Sequence, residues 1–319
     1  MSLLVESISK RFGEVVALDG VTFSVEPGRI FGLLGANGAG KTTCMRIVLD
    51  ILRADAGKVS WQGSLNTDLP RDTWGYLPEE RGLYARMKVG EQLRFFASLY
   101  GVAPDTAEAD IRGWLDRFRI PDYHDRKVEE LSKGNQQKIQ FIAAILHDPD
   151  VLIMDEPFTG LDPVNVAMLK EAFLAMRDRG KTLIFSTHQM EQVEELCESI
   201  AIIDRGRVVV SGALRDVKRS MGRQVVRLAT ERDGRGTEWL GDLPGVQVTR
   251  RGEDYVELHV PAEREPESIL REALQRGERV THFEIADPSL EEIFVEHVGR
   301  RATPDEERHL ADERAEVRS

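Results

Sequence analysis

A glycine-rich stretch of nine residues carries the clearest chemistry in the sequence. It runs from Gly35 to Thr43 as GANGAGKTT, which fits the phosphate-binding P-loop pattern G-x-x-x-x-G-K-[ST]. Glycines let the backbone turn closely, with its N–H groups pointing inward toward an anion. We expect Lys41 to reach the β- and γ-phosphates of a nucleotide and Thr42 to hold Mg²⁺. The expected nucleotide contacts of this stretch are Gly35, Asn37, Gly38, Gly40, Lys41, Thr42 and Thr43. A plain glycine turn between a strand and a helix is the alternative.

Two adjacent carboxylates follow an uninterrupted apolar run later in the chain. Residues 151–154 (VLIM) are typical of a central parallel strand buried on both faces, and Asp155 and Glu156 come next. A carboxylate at Asp155 can hold Mg²⁺, and Glu156 beside the metal can polarise a water as a general base. A charged strand exit without a catalytic role is the alternative. His188 ends another predicted strand, so we expect it at the same sheet edge, where it can donate to a γ-phosphate.

The elements around these residues alternate between strands and helices. This order predicts an α/β fold, with a mostly parallel sheet and a ligand at the carboxyl ends of its strands. The predicted strands of that sheet are 29–34, 74–77, 151–154, 182–186 and 200–204, and the predicted helices between them are 44–52, 164–176 and 190–197. Two stretches that alternate apolar and polar residues, 3–9 and 15–25, predict half-buried strands.

Three further segments differ from this alternation. Predicted helices at 89–100 and 105–118 indicate a helical subdomain inserted at about residues 85–150. We expect residues 1–221 to form the nucleotide-binding domain and residues 222–299 a small α+β domain without a chemical motif. His259, His282 and His297 of that domain are scattered, so we interpret them as ordinary histidines. Residues 300–319 are charged and poor in large apolar side chains, which predicts a disordered tail.

Composition limits the function classes. The chain has 319 residues, with 43 Lys and Arg against 55 Asp and Glu, which gives a net charge of −12. This balance argues against a nucleic-acid partner held by a basic surface. We expect no signal peptide, no membrane span and no disulfide framework from the two cysteines, Cys44 and Cys197. We therefore expect a cytosolic protein that reaches a membrane only through a partner.

The motifs taken together resemble those of the ATP-binding subunit of an ABC transporter. They are the P-loop, LSKGN at 131–135, VLIMDE at 151–156, TGLD at 159–162 and His188, and the resemblance covers residues 3 to about 221. It implies an ATPase that uses ATP and Mg²⁺, built on a P-loop core with a mixed sheet, an antiparallel β subdomain and a helical insertion. It also implies a head-to-tail homodimer with two ATP molecules at its interface. A membrane-embedded permease would hold that dimer at the inner face of the cell membrane.

The resemblance also implies roles for residues outside the P-loop. Phe12 matches the aromatic residue that stacks on adenine, and Asp162 matches a loop that couples the two sites. Ser132 and Gly134 match signature residues that contact the γ-phosphate held by the second subunit. Glu79 stands where the family usually has glutamine, and its carboxylate can bind Mg²⁺ through oxygen. The signature itself departs from LSGGQ, because Lys133 and Asn135 replace glycine and glutamine.

Three sequence features resemble one exporter subgroup within the family. They are PEERGLY at 78–84, LSKGNQQK at 131–138 and the C-terminal PSLEEIF, and the subgroup includes sodium-export and antibiotic-resistance ATP-binding subunits. The competing hypothesis is a soluble ABC ATPase that acts on nucleic acid or ribosomes. Such proteins usually carry a long coiled coil, zinc-binding cysteines or two cassettes in one chain. A third hypothesis, a pseudo-enzyme that only binds ATP, is disfavoured by the intact set of Lys41, Asp155, Glu156 and His188.

Overall fold

The computed structural model describes residues 2–80, 82–231, 237–252 and 254–299, so the predicted tail at 300–319 lies outside the described residues. The strands are β1 (Leu3–Phe12), β2 (Val15–Val25), β3 (Ile30–Leu34), β4 (Ala56–Trp61), β5 (Ser64–Leu65), β6 (Trp74–Leu77), β7 (Val151–Asp155), β8 (Thr182–Thr187), β9 (Ser199–Asp204), β10 (Arg207–Ala213), β11 (Arg223–Thr230), β12 (Gln247–Arg251), β13 (Val256–Pro261) and β14 (Val280–Ala286). The helices are α1 (Lys41–Val48), α2 (Val89–Leu99), α3 (Pro104–Arg117), α4 (Lys133–Ile145), α5 (Pro163–Asp178), α6 (Met190–Leu196), α7 (Leu214–Arg219), α8 (Glu267–Gln275) and α9 (Leu290–Val298).

A six-stranded sheet forms the centre of the first compact unit, residues 1–212. Its strand order is β10-β9-β3-β8-β7-β6, and the neighbouring pairs from β9 to β6 run parallel. Every residue of β3, β7 and β8 is buried, as the apolar sequence runs predict for strands covered on both faces. The parallel direction brings the carboxyl ends of β3, β6, β7 and β8 to one edge. This confirms the predicted α/β fold with a mixed sheet.

An antiparallel sheet packs beside the central one. Its order is β2-β1-β4-β5, and its inward-facing residues join the same hydrophobic core as β3 and α1. Phe23 of β2 stacks on Phe31 of β3, with ring centroids 5.2 Å apart, so the two sheets share an aromatic contact. This sheet is the antiparallel β subdomain that the family resemblance implies.

Three helices separate β6 from β7 and form the inserted helical segment. Helix α2 starts at the predicted residue and α3 one residue earlier than predicted, because both show clear apolar spacing. Glu108 of α3 holds the segment together, since one of its oxygens lies 2.7 Å from Arg94 Nη1 of α2 and the other 3.2 Å from His124 Nε2. His124 is buried and belongs to the loop that leads toward α4.

The helix after the P-loop begins earlier and ends earlier than the apolar spacing predicts. The prediction was 44–52, whereas α1 spans Lys41–Val48. Its carboxyl end is fixed by distant side chains: Asn66 Nδ2 donates to the carbonyls of Ile47 and Val48, and Arg71 Nη1 donates to that of Leu49. These bonds satisfy the last carbonyl groups of a helix, which otherwise have no partner. The apolar spacing alone carries no information about them.

The second compact unit begins at Ala213 and is built on another antiparallel sheet. Its order is β12-β13-β11-β14, and α8 packs on the apolar face through Ile269 and Ala273. The sequence indicates an isolated histidine at position 259. In the structure His259 of β13 has a partner, because its Nε2 lies 2.7 Å from Glu292 Oε1 at the start of α9. Across both units, none of the helices in the described ranges is long and apolar enough to span a membrane.

Candidate nucleotide-binding and hydrolysis site

The P-loop connects the end of β3 to the start of α1. Gly40 precedes the helix at φ +111°, and a Cβ there would lie 2.7 Å from the carbonyl oxygen of Ala17, so only glycine fits. Lys41 is buried, and its Nζ donates to the carbonyl oxygens of Gly35 (2.8 Å) and Ala36 (3.3 Å). The lysine therefore lies folded back under its own loop.

Asp155 at the end of β7 lies directly beside the P-loop helix. Thr42 Oγ1 donates to Asp155 Oδ2 at 2.7 Å, and Ser186 Oγ at the end of β8 donates to Asp155 Oδ1. Asp155 is almost fully buried, so both of its carboxylate oxygens have a hydroxyl partner within the protein. The two residues predicted to bind a metal, Thr42 and Asp155, are thus in contact.

Glu156 is the meeting point of the site's charged groups. Its Oε1 lies 3.5 Å from Lys41 Nζ and 3.0 Å from His188 Nδ1, and its Oε2 accepts a bond from Thr159 Oγ1 at 3.3 Å. The Glu156 side chain is buried, whereas 47% of the His188 side chain is exposed. The three residues predicted to be catalytic, Lys41, Glu156 and His188, therefore lie together.

Lys41 and Glu156, but not His188, line an open cleft of about 360 Å³. P-loop residues form one side, β2 residues Val15–Ala17 form another, and Glu79 closes a third. The lining residues are Val15, Val16, Ala17, Ala36, Asn37, Gly38, Gly40, Lys41, Thr42, Thr43, Glu79, Asp155 and Glu156. The size and the polar floor suit the phosphate end of a nucleotide, whereas the short apolar side chains of β2 suit its uncharged part.

Glu79 lies in the exposed loop that follows β6. Gln140 Nε2 of α4 holds this loop by donating to the carbonyl oxygens of Pro78 (3.0 Å) and Glu80 (3.3 Å). Tyr76 of β6 lies near both Asp155 and Glu79. Burial raises the pKa of the Tyr76 phenol above its usual value, although a hydrogen bond with Arg46 opposes the rise.

Phe12 lies at the end of β1, opposite Val15 in the β1–β2 pair. Half of its surface is exposed, and Lys10 Nζ lies 5.7 Å from the ring centroid. The ring is therefore accessible beside the cleft-lining start of β2. This position is open to a stacking partner.

The signature residues belong to the start of α4. Ser132 is the N-cap, and its Oγ accepts the N–H of Asn135 at 3.3 Å, while Ser132 and Lys133 are exposed. Gly134 is buried against α5, where a Cβ would lie 2.5 Å from Nδ2 of Asn165. Asn165 in turn contacts Asp162, the N-cap of α5, through its backbone N–H at 3.0 Å and its side chain. The signature and the residue predicted to couple the two sites are thus in contact through Asn165.

The donor set fits a magnesium–phosphate group better than a metal held by protein alone. Among the described residues no three His, Cys, Asp or Glu side chains are grouped closely enough to hold a metal ion. A hydroxyl and a carboxylate, Thr42 and Asp155, are instead placed together at the mouth of a P-loop. Mg²⁺ usually takes one or two such ligands and completes its shell with waters and substrate phosphates.

Three polar residues of the site have no role predicted from the sequence, although Thr159 and Gln137 lie within the motifs TGLD and LSKGNQQK. Ser186 contacts Asp155, Thr159 contacts Glu156, and Gln137 Nε2 donates to the carbonyl of Pro157 at 3.1 Å. Ser186 lies outside every motif, and nothing in its sequence spacing singles it out. Only the strand register, which pairs Ser186 with Asp155, reveals the first of them.

Comparison with known proteins agrees with this geometry. Residues 18–159 match the family described as ABC transporter, and residues 212–298 match the one described as ATP-binding protein DrrA1-3-like, C-terminal domain. The chain is 45% identical over 297 residues to the uncharacterized ABC transporter ATP-binding protein YhaQ of Bacillus subtilis, covering 93% of this chain and 98% of that protein. It is 32% identical over 313 residues to Nod factor export ATP-binding protein I of Ralstonia nicotianae, covering 93% and 94%.

A solved structure has a similar fold over much of the chain. It is described as the structure of an ATP-binding subunit of an ABC transporter, and it is 32% identical, with a TM-score of 0.65. The match covers 70% of this chain and 94% of that one. The sequence identity over nearly the whole of two relatives, together with the P-loop site, identifies the family. The chain belongs to the ABC transporter ATP-binding proteins, the ATP-hydrolysing subunits of these transporters.

Proposed function

We propose that the chain powers export across the cell membrane, acting from the cytoplasmic face through a separate membrane permease. The proposal of ATP hydrolysis is supported by the close contacts at one edge of the central sheet among five side chains: Lys41, Thr42, Asp155, Glu156 and His188. The direction of transport rests on relatives named as Nod factor export proteins and on the exporter-like features of the sequence.

Each of these residues has a role that its position supports. The P-loop and Lys41 bind the β- and γ-phosphates, and Thr42, Asp155 and Glu79 provide oxygen ligands for Mg²⁺. Mg²⁺ held by these residues would neutralise charge on the phosphate oxygens. Glu156 polarises the attacking water, and His188, whose Nδ1 lies 3.0 Å from Glu156 Oε1, provides a ring N–H for the γ-phosphate. Phe12 stacks on the adenine.

The complete site requires a second copy of the chain. Ser132 and Lys133 are exposed at the start of α4, where the helix dipole and free N–H groups attract an anion. We infer that this end, with Gly134 behind it, closes over the ATP held by the P-loop of the partner subunit. Two ATP molecules then lie at the interface of a head-to-tail homodimer, and Lys133 adds a positive charge facing phosphate.

An exposed aromatic surface supports docking of the permease on the helical segment. Tyr84, Phe95 and Phe96 cluster with ring centroids 5.8–6.3 Å apart, and 53% of Tyr84 and 63% of nearby Leu99 on α2 are exposed. Exposed aromatic and apolar side chains of this kind mark protein interfaces. Phe96 of this surface and Pro78, next to Glu79, line one cavity, so an apolar segment of the permease bound here would lie close to the loop that reaches the ATP site.

Co-purification tests this proposal. We expect the tagged chain to extract one polytopic membrane protein from detergent-solubilised membranes, in a complex whose ATPase activity exceeds that of the chain alone. The double variant Tyr84→Ala/Phe95→Ala should lose that protein. Val164→Ala, which changes a more exposed apolar residue on α5, should keep it.

Retention of the chain on ribosomes or DNA, with no membrane protein, would contradict the proposal in favour of the nucleic-acid hypothesis. The relatives reported above carry transporter names and give that alternative no support. The net charge of this chain, −12, also disfavours binding to a polyanion such as DNA or RNA.

A further inference from the structure

Ser186 is a buried hydroxyl that contacts both carboxylate residues of the site. It lies in β8, one residue before the end of the strand, and pairs in register with Asp155 of β7. Its solvent exposure is 0%, and it does not line the cleft. Neither the P-loop nor the Asp-Glu pair directs attention to this position in the sequence.

The first contact fixes the orientation of Asp155. Ser186 Oγ donates to Asp155 Oδ1, while Thr42 Oγ1 donates to Asp155 Oδ2 at 2.7 Å. The two hydroxyls hold the carboxylate from opposite sides, one from within the sheet and one from the P-loop helix. Thr42 is itself expected to contact the metal, so Ser186 is the partner that keeps Asp155 oriented independently of the nucleotide.

The second contact fixes the turn that carries Glu156. The backbone of Glu156 has φ +47°, which is unfavourable for a residue with a side chain. Its N–H donates to both the carbonyl oxygen and the Oγ of Ser186, at 3.1 Å each. This shared bond holds the strained turn in place and thereby directs the Glu156 carboxylate toward Lys41 and His188.

We propose that Ser186 is a positioning residue that sets both the metal-binding carboxylate and the general base. The inference rests on the proposed roles of Asp155 and Glu156. Partners of this kind around a metal ligand typically change metal affinity by about 10–100-fold when they are removed. A serine that merely satisfied the polar groups of the core would change stability without a selective change in metal binding.

Binding of Mn²⁺ in place of Mg²⁺ separates these two possibilities. The measurement is the affinity of Mn²⁺ for the protein–nucleotide complex, followed by electron paramagnetic resonance with a non-hydrolysable ATP analogue. We expect Ser186→Ala to weaken Mn²⁺ binding about tenfold or more. Its affinity for the same analogue in EDTA should stay within about twofold of wild type, and kcat should fall while KM for ATP changes little.

Two further variants control for loss of a buried hydroxyl and for folding. Thr182 lies in the same strand and is equally buried, but its Oγ1 accepts the N–H of Gly28 at 2.9 Å, far along β8 from Asp155. Thr182→Val should therefore keep wild-type Mn²⁺ affinity. Ser186→Thr retains the hydroxyl and should bind Mn²⁺ more tightly than Ser186→Ala. Should the alanine variant fail to fold, Ser186→Cys, which keeps the volume and weakens the donor, takes its place.

Asp155→Asn tells failure of this inference from failure of the proposed function. If Asp155→Asn weakens Mn²⁺ binding and Ser186→Ala or Ser186→Cys does not, the positioning role is wrong and the metal site stands. If Asp155→Asn leaves Mn²⁺ affinity unchanged, the assignment of the metal ligand itself is wrong. An equal loss of Mn²⁺ affinity in Ser186→Ala and Thr182→Val would also overturn the positioning role, since removal of any buried hydroxyl would then explain it.

Discussion

Nζ of Lys41 lies 3.5 Å from Oε1 of Glu156, and only 7% of each side chain is exposed to solvent. The P-loop lysine is therefore paired with the proposed general base. The lysine also has two carbonyl partners in its own loop, and the glutamate also has His188 and Thr159. If Lys41 moves to bind a phosphate, Glu156 still has His188 and Thr159 as polar partners.

Glu156→Gln should separate ATP binding from hydrolysis. The amide keeps the size of the side chain and removes both the base and a negative charge next to the phosphate site. We expect ATP affinity to be retained or increased and the hydrolysis rate to fall by about 10²–10⁴. Nucleotide binding and steady-state turnover measure the two quantities, with Glu171→Gln on the exposed face of α5 as control. Turnover near the wild-type rate would remove Glu156 from the role of base.

Glu79→Gln tests the departure of this loop from the usual family residue. Glu79 lines the cleft with Asp155 and Thr42, and a carboxylate binds Mg²⁺ more strongly than a neutral amide. We expect the Mg²⁺ concentration for half-maximal ATPase activity to rise by about tenfold. Glu80→Gln changes the neighbouring exposed carboxylate and should leave the titration unchanged. The same Mg²⁺ requirement in both variants would place Glu79 outside the metal shell.

The sequence predicted those parts of the site that are marked by short local patterns of residues. Asp155 and Glu156 follow an apolar run, His188 follows another, and the P-loop has fixed spacing, so strand ends alone place them at one edge. Ser186 acts through a contact between two strands, which leaves no local pattern in the sequence.

The bounds of α1 and the existence of α7 failed to emerge from the sequence for related reasons. The end of α1 depends on Asn66 and Arg71, which lie about 20 residues away. The six residues of α7 are too few to show a period of 3.6. Apolar spacing therefore shows neither the distant side chains that end α1 nor a helix as short as α7.

Acid should weaken the attachment of α9 to its sheet through Glu292. Its Oε2 accepts the N–H of Ser289 at 2.8 Å, and its Oε1 lies 2.7 Å from His259 Nε2. Burial raises the pKa of Glu292, but these hydrogen bonds outweigh it, and the net pKa lies below the usual 4.5. A carboxyl whose pKa is lowered by folding stabilises the folded state above about pH 4.5 and loses that effect as the pH falls below it.

The variant Glu292→Gln measures this contribution, because glutamine still fits the helix cap but has no charge. We expect the variant to be less stable than wild type at pH 7, with the difference shrinking as the pH is lowered from 5 to 3. Urea unfolding at each pH gives the two free energies. Glu291→Gln, at the exposed position next along the helix, should show little difference at any pH. A difference in unfolding free energy between Glu292→Gln and wild type that stays constant with pH would exclude the carboxylate charge as its cause.

The same substitution at two helical glycines should have opposite effects. Gly113 of α3 is exposed, and a Cβ there would meet nothing within 4 Å, so Gly113→Ala should raise the free energy of unfolding by about 1 kcal/mol. At Gly134 of α4 a Cβ would lie 2.5 Å from Nδ2 of Asn165. That amide is held by Asp162, so the strain cannot be relieved without breaking a hydrogen bond. We expect Gly134→Ala to lower the free energy of unfolding by about 1–3 kcal/mol.

A double-mutant cycle locates the cause of the Gly134 effect. Asn165→Ala removes the atom that the new methyl group would strike, while the backbone N–H of residue 165 still caps α5 through Asp162. Adding Asn165→Ala to Gly134→Ala should therefore recover part of the lost stability, which gives a coupling free energy of about 0.5–3 kcal/mol. Additive effects would contradict the contact. If the double variant regains stability yet hydrolyses ATP more slowly than Asn165→Ala alone, Gly134 is needed for closing the site as well as for packing.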